Sequence, residues 1–353
     1  MKEKYTNGIR SLLECKNNVR RGFCRDLREE IDYFEKNRLY TVEVGMTPMC
    51  SIRCIYCYAS STPDWTGGIP TKTLYNLIED LVKCDVKNIN WGGGEPLSRA
   101  NWYDIMKYAQ DCGLKNLLMT NGLALSNKKE AEKVNDLVEM AFIHMDTLNP
   151  RIWKSLHDGP IQFLNKQVAG VENLLETGFS PDDLALSITV TAPIIEGEDY
   201  KKTIDWAYDE KGTSAILFPY RAYGFAKEAE WLRPENREMW LVYEYRNSKD
   251  GINSGPGFGS KFYCGTSCNI GVTGDVLACS MVPATKVGNI HKTSFKELYD
   301  KYGNILTYAK LHNGRNIEGR CSSCKNNEFC WGCRALSYLV CGDYNVSDPI
   351  CRI

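Results

Sequence analysis

The chain has 353 residues, 43% hydrophobic and 25% charged, so a packed core is within reach and wholesale disorder is disfavoured. Forty-three lysines and arginines face 44 aspartates and glutamates, a net charge of -1, which argues against a nucleic-acid partner. No apolar run is long enough for a bilayer, and the polar start MKEKYTNGIR lacks a signal segment, so a cytoplasmic protein with no membrane partner is expected.

Residues 1–40 read as a charged helical lead-in with Leu12, Leu13, Leu27 and Ile31 as apolar contacts. From Thr41 short apolar runs alternate with amphipathic helices, the pattern of a parallel α/β sheet. Strands are predicted at 41–46, 87–91, 115–120, 140–146, 184–191 and 214–220. Helices are predicted at 71–83, 101–112, 128–138, 165–177 and 200–210. The first of these opens at Pro70 and repeats Leu74, Leu77, Ile78 and Leu81 at helical spacing. Six β/α units over 41–225 fall short of the eight that close a barrel, so a partial, open barrel is expected. Residues 226–263 form a bridging region, with a helix at 234–246 and a Gly-rich loop at 251–260. Residues 264–353 are rich in cysteine and poor in apolar runs, so bound metal should supply part of their folding free energy.

Sixteen cysteines in a long chain without an export signal read as metal ligands rather than disulfides. Cys50, Cys54 and Cys57 share one loop after the first strand. Three thiolates there can hold three corners of an iron–sulfur cube and leave one iron open. A structural zinc site would want a fourth ligand, and no histidine lies near. WGGGEP (91–96) ends the second strand, where glycines let a ligand approach the backbone. Thr120 and Asn121 end the third strand, either as ligand contacts or as an ordinary Asn-Gly turn. His144 and Asp146 sit on an inward strand, as cofactor or substrate contacts or as core polar groups. Tyr220, Arg221 and Tyr223 follow the last strand, and Arg221 suits a carboxylate of cofactor or substrate. Cys264, Cys268, Cys279, Cys321, Cys324, Cys330, Cys333 and Cys351 are enough for two four-cysteine iron–sulfur clusters or two zinc sites. Cys15, Cys24, Cys84 and Cys112 read as structural, the last two at helix ends.

Cys50-x3-Cys54-x2-Cys57, with Tyr56 before the last cysteine and Gly93-Gly94-Glu95-Pro96 downstream, resembles the radical S-adenosylmethionine (radical SAM) superfamily over residues 41–225. The resemblance implies a partial (β/α)6 barrel and a [4Fe–4S] cluster whose open iron binds S-adenosylmethionine (SAM). It also implies a 5′-deoxyadenosyl radical that abstracts a substrate hydrogen. Gly92, Gly93, Gly94, Glu95 and Pro96 would then meet the methionine amino group, Tyr56 the adenine, and Thr120 and Asn121 the ribose or carboxylate.

Cys264-x9-Gly274-x4-Cys279, Gly288-Asn289-Ile290 with Leu298, Cys321-x2-Cys324-x5-Cys330-x2-Cys333, Gly342-Asp343-Tyr344 and Asp348-Pro349-Ile350-Cys351 resemble the SPASM extension of that superfamily. This implies a first auxiliary cluster on Cys264, Cys268, Cys279 and Cys333 and a second on Cys321, Cys324, Cys330 and Cys351, making three [4Fe–4S] clusters. Two departures narrow the comparison. Two residues rather than three separate Cys330 from Cys333, as in members that decarboxylate peptides or act on haem precursors, which makes Cys341 an alternative ligand. Ser280 stands where sulfatase maturases carry an aspartate base, and a hydroxyl cannot serve as a base near neutral pH.

The expected function is radical oxidation of a ribosomally made precursor peptide by crosslinking, decarboxylation or epimerisation. The short lead-in implies a separate recognition protein, and the chemistry implies an electron donor such as flavodoxin or ferredoxin. The alternative is a small-molecule decarboxylase or dehydrogenase acting on a haem precursor or sugar. A zinc-rich structural protein is the third reading.

Overall fold

A computed structural model of the chain describes Ile9, residues 26–250 and residues 260–352. The expected contacts of Leu12 and Leu13, Cys15, Cys24 and nearly all of the Gly-rich loop lie outside the described residues.

Six parallel strands follow one another across a sheet in chain order: β1 (Thr41–Thr47), β2 (Asn88–Gly93), β3 (Lys115–Thr120), β4 (Val138–His144), β5 (Leu184–Val190) and β6 (Ser214–Pro219). Three further strands, β7 (Ser267–Ile270), β8 (Asp275–Leu277) and β9 (Gly288–Asn289), extend the sheet beyond β1. The predicted partial barrel is therefore present and open. The cysteine-rich region adds to it: β7 pairs parallel with β1, Val42 opposite Cys268, and β8 and β9 run antiparallel.

Helix α1 (Leu27–Glu35) starts at Asp26, whose carboxylate accepts from the Arg28 and Glu29 N–H groups. It packs on the C-terminal region, Phe34 meeting Phe262, His312 and Trp331. Helices α2 (Thr71–Lys83), α3 (Trp102–Asp111), α4 (Lys128–Leu137), α5 (Pro150–Leu156), α6 (Gln162–Glu176) and α7 (Asp199–Asp205) cover the outer face of the sheet or connect its strands. α2 buries Leu74, Leu77, Ile78 and Leu81, the stripe its sequence announces. Cys84 and Cys112 cap α2 and α3, as expected. α5 has no apolar stripe long enough to be read from sequence. Its start is set by Asn149, which accepts from the Arg151 N–H, and by Pro150 in the first turn. Helix α8 (Asn236–Asp250) bridges to α9 (Ser260–Thr266), followed by α10 (Phe295–Leu306) and α11 (Arg334–Cys341).

Alternation along the strands separates two layers. Val42, Val44, Ile89, Trp91 and Ile270 face the helices within the main apolar core. The inner face is apolar over β3–β6, with Leu117, Met140, Phe142, Ala185 and Ile216. Over β1, β2 and β7 it is polar, where Glu43, Asn90 and Asn269 interact with Tyr263 or with one another.

Candidate active site

The loop carrying Cys50, Cys54 and Cys57 is fastened on several sides by main-chain bonds. Cys50 N–H donates to Thr62 C=O (3.1 Å) and Ile55 N–H to Leu156 C=O (3.0 Å). Gly94 N–H donates to Thr47 C=O and Glu95 N–H to Met49 C=O, each at 2.7 Å. This approach explains the glycine: a Cβ on Gly94 would lie 2.3 Å from the Met49 carbonyl oxygen. The three thiols share one electrostatic environment. Burial and the neighbouring Glu95 carboxylate push the Cys50 thiol up to about 11. Burial, then Cys57 and Cys50, push Cys54 well above the ordinary range. Three converging thiolates are unfavourable alone and fit a bound cation centre.

Glu95 is 3% exposed. Its Oε1 accepts from the Leu97 N–H (3.0 Å) and the Thr120 hydroxyl (2.8 Å), and its Oε2 from the Asn121 N–H (2.6 Å). A carboxylate has about four acceptor positions, so one position on Oε2 is left open. Burial raises this carboxyl to about 7, which a nearby cation would reverse. Asn121 Nδ2 also points at Cys50 Sγ (3.7 Å). Glu95, Thr120 and Asn121 thus form one network beside the first cysteine.

Cys264, Cys279 and Cys333 lie within one another's electrostatic reach. Cys268, the fourth residue expected with them, is not among the groups acting on Cys264 or Cys279. The chain changes from helix α9 to strand β7 between Cys264 and Cys268, so the residues do not share a helix face. Strand alternation turns Cys268 into the apolar layer beneath the helices, where it is 1% exposed and is influenced by Glu43 and Cys84. Cys330 is pushed up to about 12 by burial, with Asp348, Cys351 and Cys321 adding to the shift. Cys324 follows directly through the turn in which its N–H donates to Cys321 C=O (3.4 Å). Cys341 is exposed.

Arg221 lies beside Cys333. Its Nη2 lies 3.5 Å from Cys333 Sγ and its Nη1 4.0 Å from Met281 Sδ, while the buried Nε has no partner. Burial alone would depress the guanidinium, but Cys333 and Cys279 hold it firmly protonated. Tyr58 joins the two thiol regions, sensing Glu43, Cys57, Cys279 and Arg221 together.

Residues 44–207 match the family described as the radical SAM superfamily. These residues carry a radical SAM domain. The AdoMet-dependent heme synthase of Methanosarcina barkeri is 24% identical over 343 residues, 87% of this chain and 94% of that relative. Mycofactocin maturase MftC of Mycolicibacterium smegmatis is 24% identical over 332 residues, 87% of this chain and 81% of the relative. Streptococcus suis SuiB bound to its precursor peptide SuiA superposes with a TM-score of 0.64 at 15% identity, over 92% of this chain and 80% of that one. That likeness is one of fold and extends through the cysteine-rich, SPASM-type region.

Within this domain, Tyr56 is buried and its hydroxyl meets Asp146 and His144. His144 and Asp146 therefore stand behind Cys54 as a polar support. His157, which sequence reasoning passed over, completes that group; its backbone bridges Cys54. Glu43 was also missed, although a carboxylate in the apolar run TVEVGM was a usable signal. Tyr220 is structural, its hydroxyl contacting the carbonyls of Ala226 (2.5 Å) and Ala229 (2.8 Å). No helix among the described residues is long and apolar enough to cross a membrane.

Proposed function

We propose that this enzyme oxidatively decarboxylates a ribosomally made peptide bound between the Cys50–Cys57 loop and the Cys264, Cys279, Cys333 group. The observation that carries the reading is Arg221. A guanidinium with an unpartnered buried N–H, beside the second thiol group and within reach of Tyr58, is a site for a substrate carboxylate. Glu43 and Asn269, with a buried unpartnered Asn269 oxygen, offer acceptors for peptide N–H groups on the same inner face.

Cys50, Cys54 and Cys57 would hold the [4Fe–4S] cluster, and Glu95 with its neighbours the SAM amino group. When bound, these supply the 5′-deoxyadenosyl radical that removes a hydrogen atom from the substrate. Arg221 would hold the carboxylate so that the carbon β to it faces that radical. Loss of the hydrogen atom, then of carbon dioxide and one electron, leaves a carbon–carbon double bond. The electron departs on the Cys279 and Cys333 side. Cys321, Cys324, Cys330 and Cys351 would hold a further cluster, and Cys264, Cys279 and Cys333 a third with one corner not filled by cysteine. A flavodoxin or ferredoxin would deliver the first electron, and a separate recognition protein would present the peptide.

A second reading has one specific support: heme synthase relatives match 87% of the chain. A haem precursor bearing carboxylate side chains would use Arg221 in the same way. The test is an anaerobic assay with SAM and dithionite, offering a precursor peptide encoded beside the gene and, separately, an iron tetrapyrrole with propionate side chains. Mass spectrometry should show the peptide losing carbon dioxide and two hydrogens, and Arg221→Met should abolish this. Turnover of the tetrapyrrole alone would favour the second reading, and modification without loss of carbon dioxide would overturn the decarboxylation.

A further inference from the structure

A row of polar side chains crosses the inner face of the sheet. Strand register sets Asn90 of β2, Glu43 of β1 and Asn269 of β7 side by side. Glu43 is the only residue of β1 that is not buried. Its Oε1 accepts from the Tyr263 hydroxyl (2.6 Å) and its Oε2 from Asn269 Nδ2 (3.1 Å). A tyrosine has one hydroxyl hydrogen. With that hydrogen given to Glu43, the Tyr263 oxygen accepts, and Asn90 Nδ2 at 3.3 Å brings the hydrogen.

Both amides are thereby fixed with the nitrogen engaged and the oxygen turned away. Asn90 and Asn269 are 3% and 9% exposed, and their buried Oδ1 atoms have no partner among the described residues. Both partners of Glu43 are neutral, and no ion pair among the described residues includes it. A partly buried carboxylate held only by neutral donors keeps an uncompensated charge, and the two amide oxygens add to it. About four acceptor positions belong to a carboxylate, and two of those on Glu43 are used.

Space lies above this row. Alternation puts Gly92 on the same face as Asn90, two residues nearer the cysteine loop. A Cβ on Gly92 would meet nothing closer than Met119 Cβ, at 3.9 Å, so no side chain fills that part of β2. The row lies about 7 Å deeper than Gly92, from the rise of two strand residues. The Tyr58 hydroxyl feels both Glu43 and Arg221, so the two opposite charges share one neighbourhood.

We propose that Glu43 is a specificity-determining residue whose carboxylate, in the row with Asn90 and Asn269, takes a cationic N–H group of the substrate, an ammonium or a guanidinium. This rests on the proposed placement of substrate on the inner face, and on neither Arg221 nor the decarboxylation. A peptide with a lysine or arginine side chain beside the reacting residue offers such a group. The propionates of an iron tetrapyrrole offer only acceptors.

The test uses anaerobically purified holoenzyme with SAM bound, so that the cofactor site is filled, and isothermal titration with butylguanidinium, butylammonium and neutral butylurea. Wild type should bind at least one of the two cations about fivefold or more tightly than butylurea. Glu43→Gln keeps an acceptor for Tyr263 and removes the charge, and should erase the preference. Asn90→Ala leaves the carboxylate in place and should keep it. Propionate, titrated separately, reads Arg221: its binding should be lost in Arg221→Met and not weakened in Glu43→Gln. Failure of propionate to bind wild type would overturn the Arg221 reading alone. Equal binding of cations and butylurea by wild type, a preference retained in Glu43→Gln, or one lost as fully in Asn90→Ala as in Glu43→Gln would overturn the proposal.

Discussion

The barrel and the cysteine-rich region both gather thiols, by different physical means. In the barrel, Cys50, Cys54 and Cys57 come from one loop, already tied by main-chain bonds to β1, β2 and the end of α5. A broad apolar layer under α2–α4 fixes the strands that carry those ties. In the C-terminal region, the thiols come from positions as distant as 264 and 351: Cys264 on the short helix α9, Cys333 at the start of α11, and the others in turns and loops. A small apolar cluster and local hydrogen bonds join them. The Asp348 carboxylate accepts from the Cys333 N–H (2.6 Å) and the Ile350 N–H (3.0 Å), and Arg334 Nη1 donates to the Tyr344 and Val346 carbonyls (2.7 Å each). The first site is therefore built by the fold, while the second depends on what the thiols bind.

The largest expected effect breaks the two regions apart. Replacing Cys321 and Cys330 with alanine should remove slow hydrogen exchange from α11 and its flanks by orders of magnitude, while β1–β6 keep their protection. Equal loss in both regions would show that the contrast is not real. The next effect acts within the barrel. Gly94→Ala places a methyl against the Met49 carbonyl oxygen, at 2.3 Å before relaxation. It should cost about 1–3 kcal/mol in denaturant titration and cut 5′-deoxyadenosine formation at least tenfold, as the cysteine loop is pushed away.

Glu95→Gln should weaken SAM binding about tenfold, through loss of the charged acceptor, with stability changed far less. Equilibrium binding to the cluster-loaded enzyme measures it. The smallest effect is on pH. Burial lowers His157 from 6.5 to about 4, so the unfolded chain binds more protons than the folded one between these values. Stability from this group is present above pH 6.5 and lost as pH falls towards 4. By about pH 5.5 the loss should be about 1.4 kcal/mol. His157→Asn keeps a donor for the Trp153 carbonyl and should flatten that part of the profile, as read from denaturation midpoints.

Much of the barrel was legible because its signals are local. The stripe Leu74, Leu77, Ile78 and Leu81 marks α2, and the strand runs fall within a few residues of β1–β6. The thiol loop and WGGGEP were legible because ligand spacing survives in a linear reading. Cys264-x3-Cys268 looks like a ligand pair in sequence, and the helix-to-strand change between the two was not legible there. The place of β7 beside β1 depends on long-range pairing that no periodicity records. His157 was invisible for a similar reason: it lies 103 positions beyond Cys54 and reaches it through a single backbone bridge.

The central claim is that Cys50, Cys54 and Cys57 hold an iron–sulfur centre that cleaves SAM, separately from the C-terminal thiols. Iron analysis and 5′-deoxyadenosine formation in the anaerobic triple alanine variant test it together. The account predicts complete loss of 5′-deoxyadenosine with the iron of the C-terminal region retained. Continued cleavage by that variant, or loss of all iron at once, would contradict it.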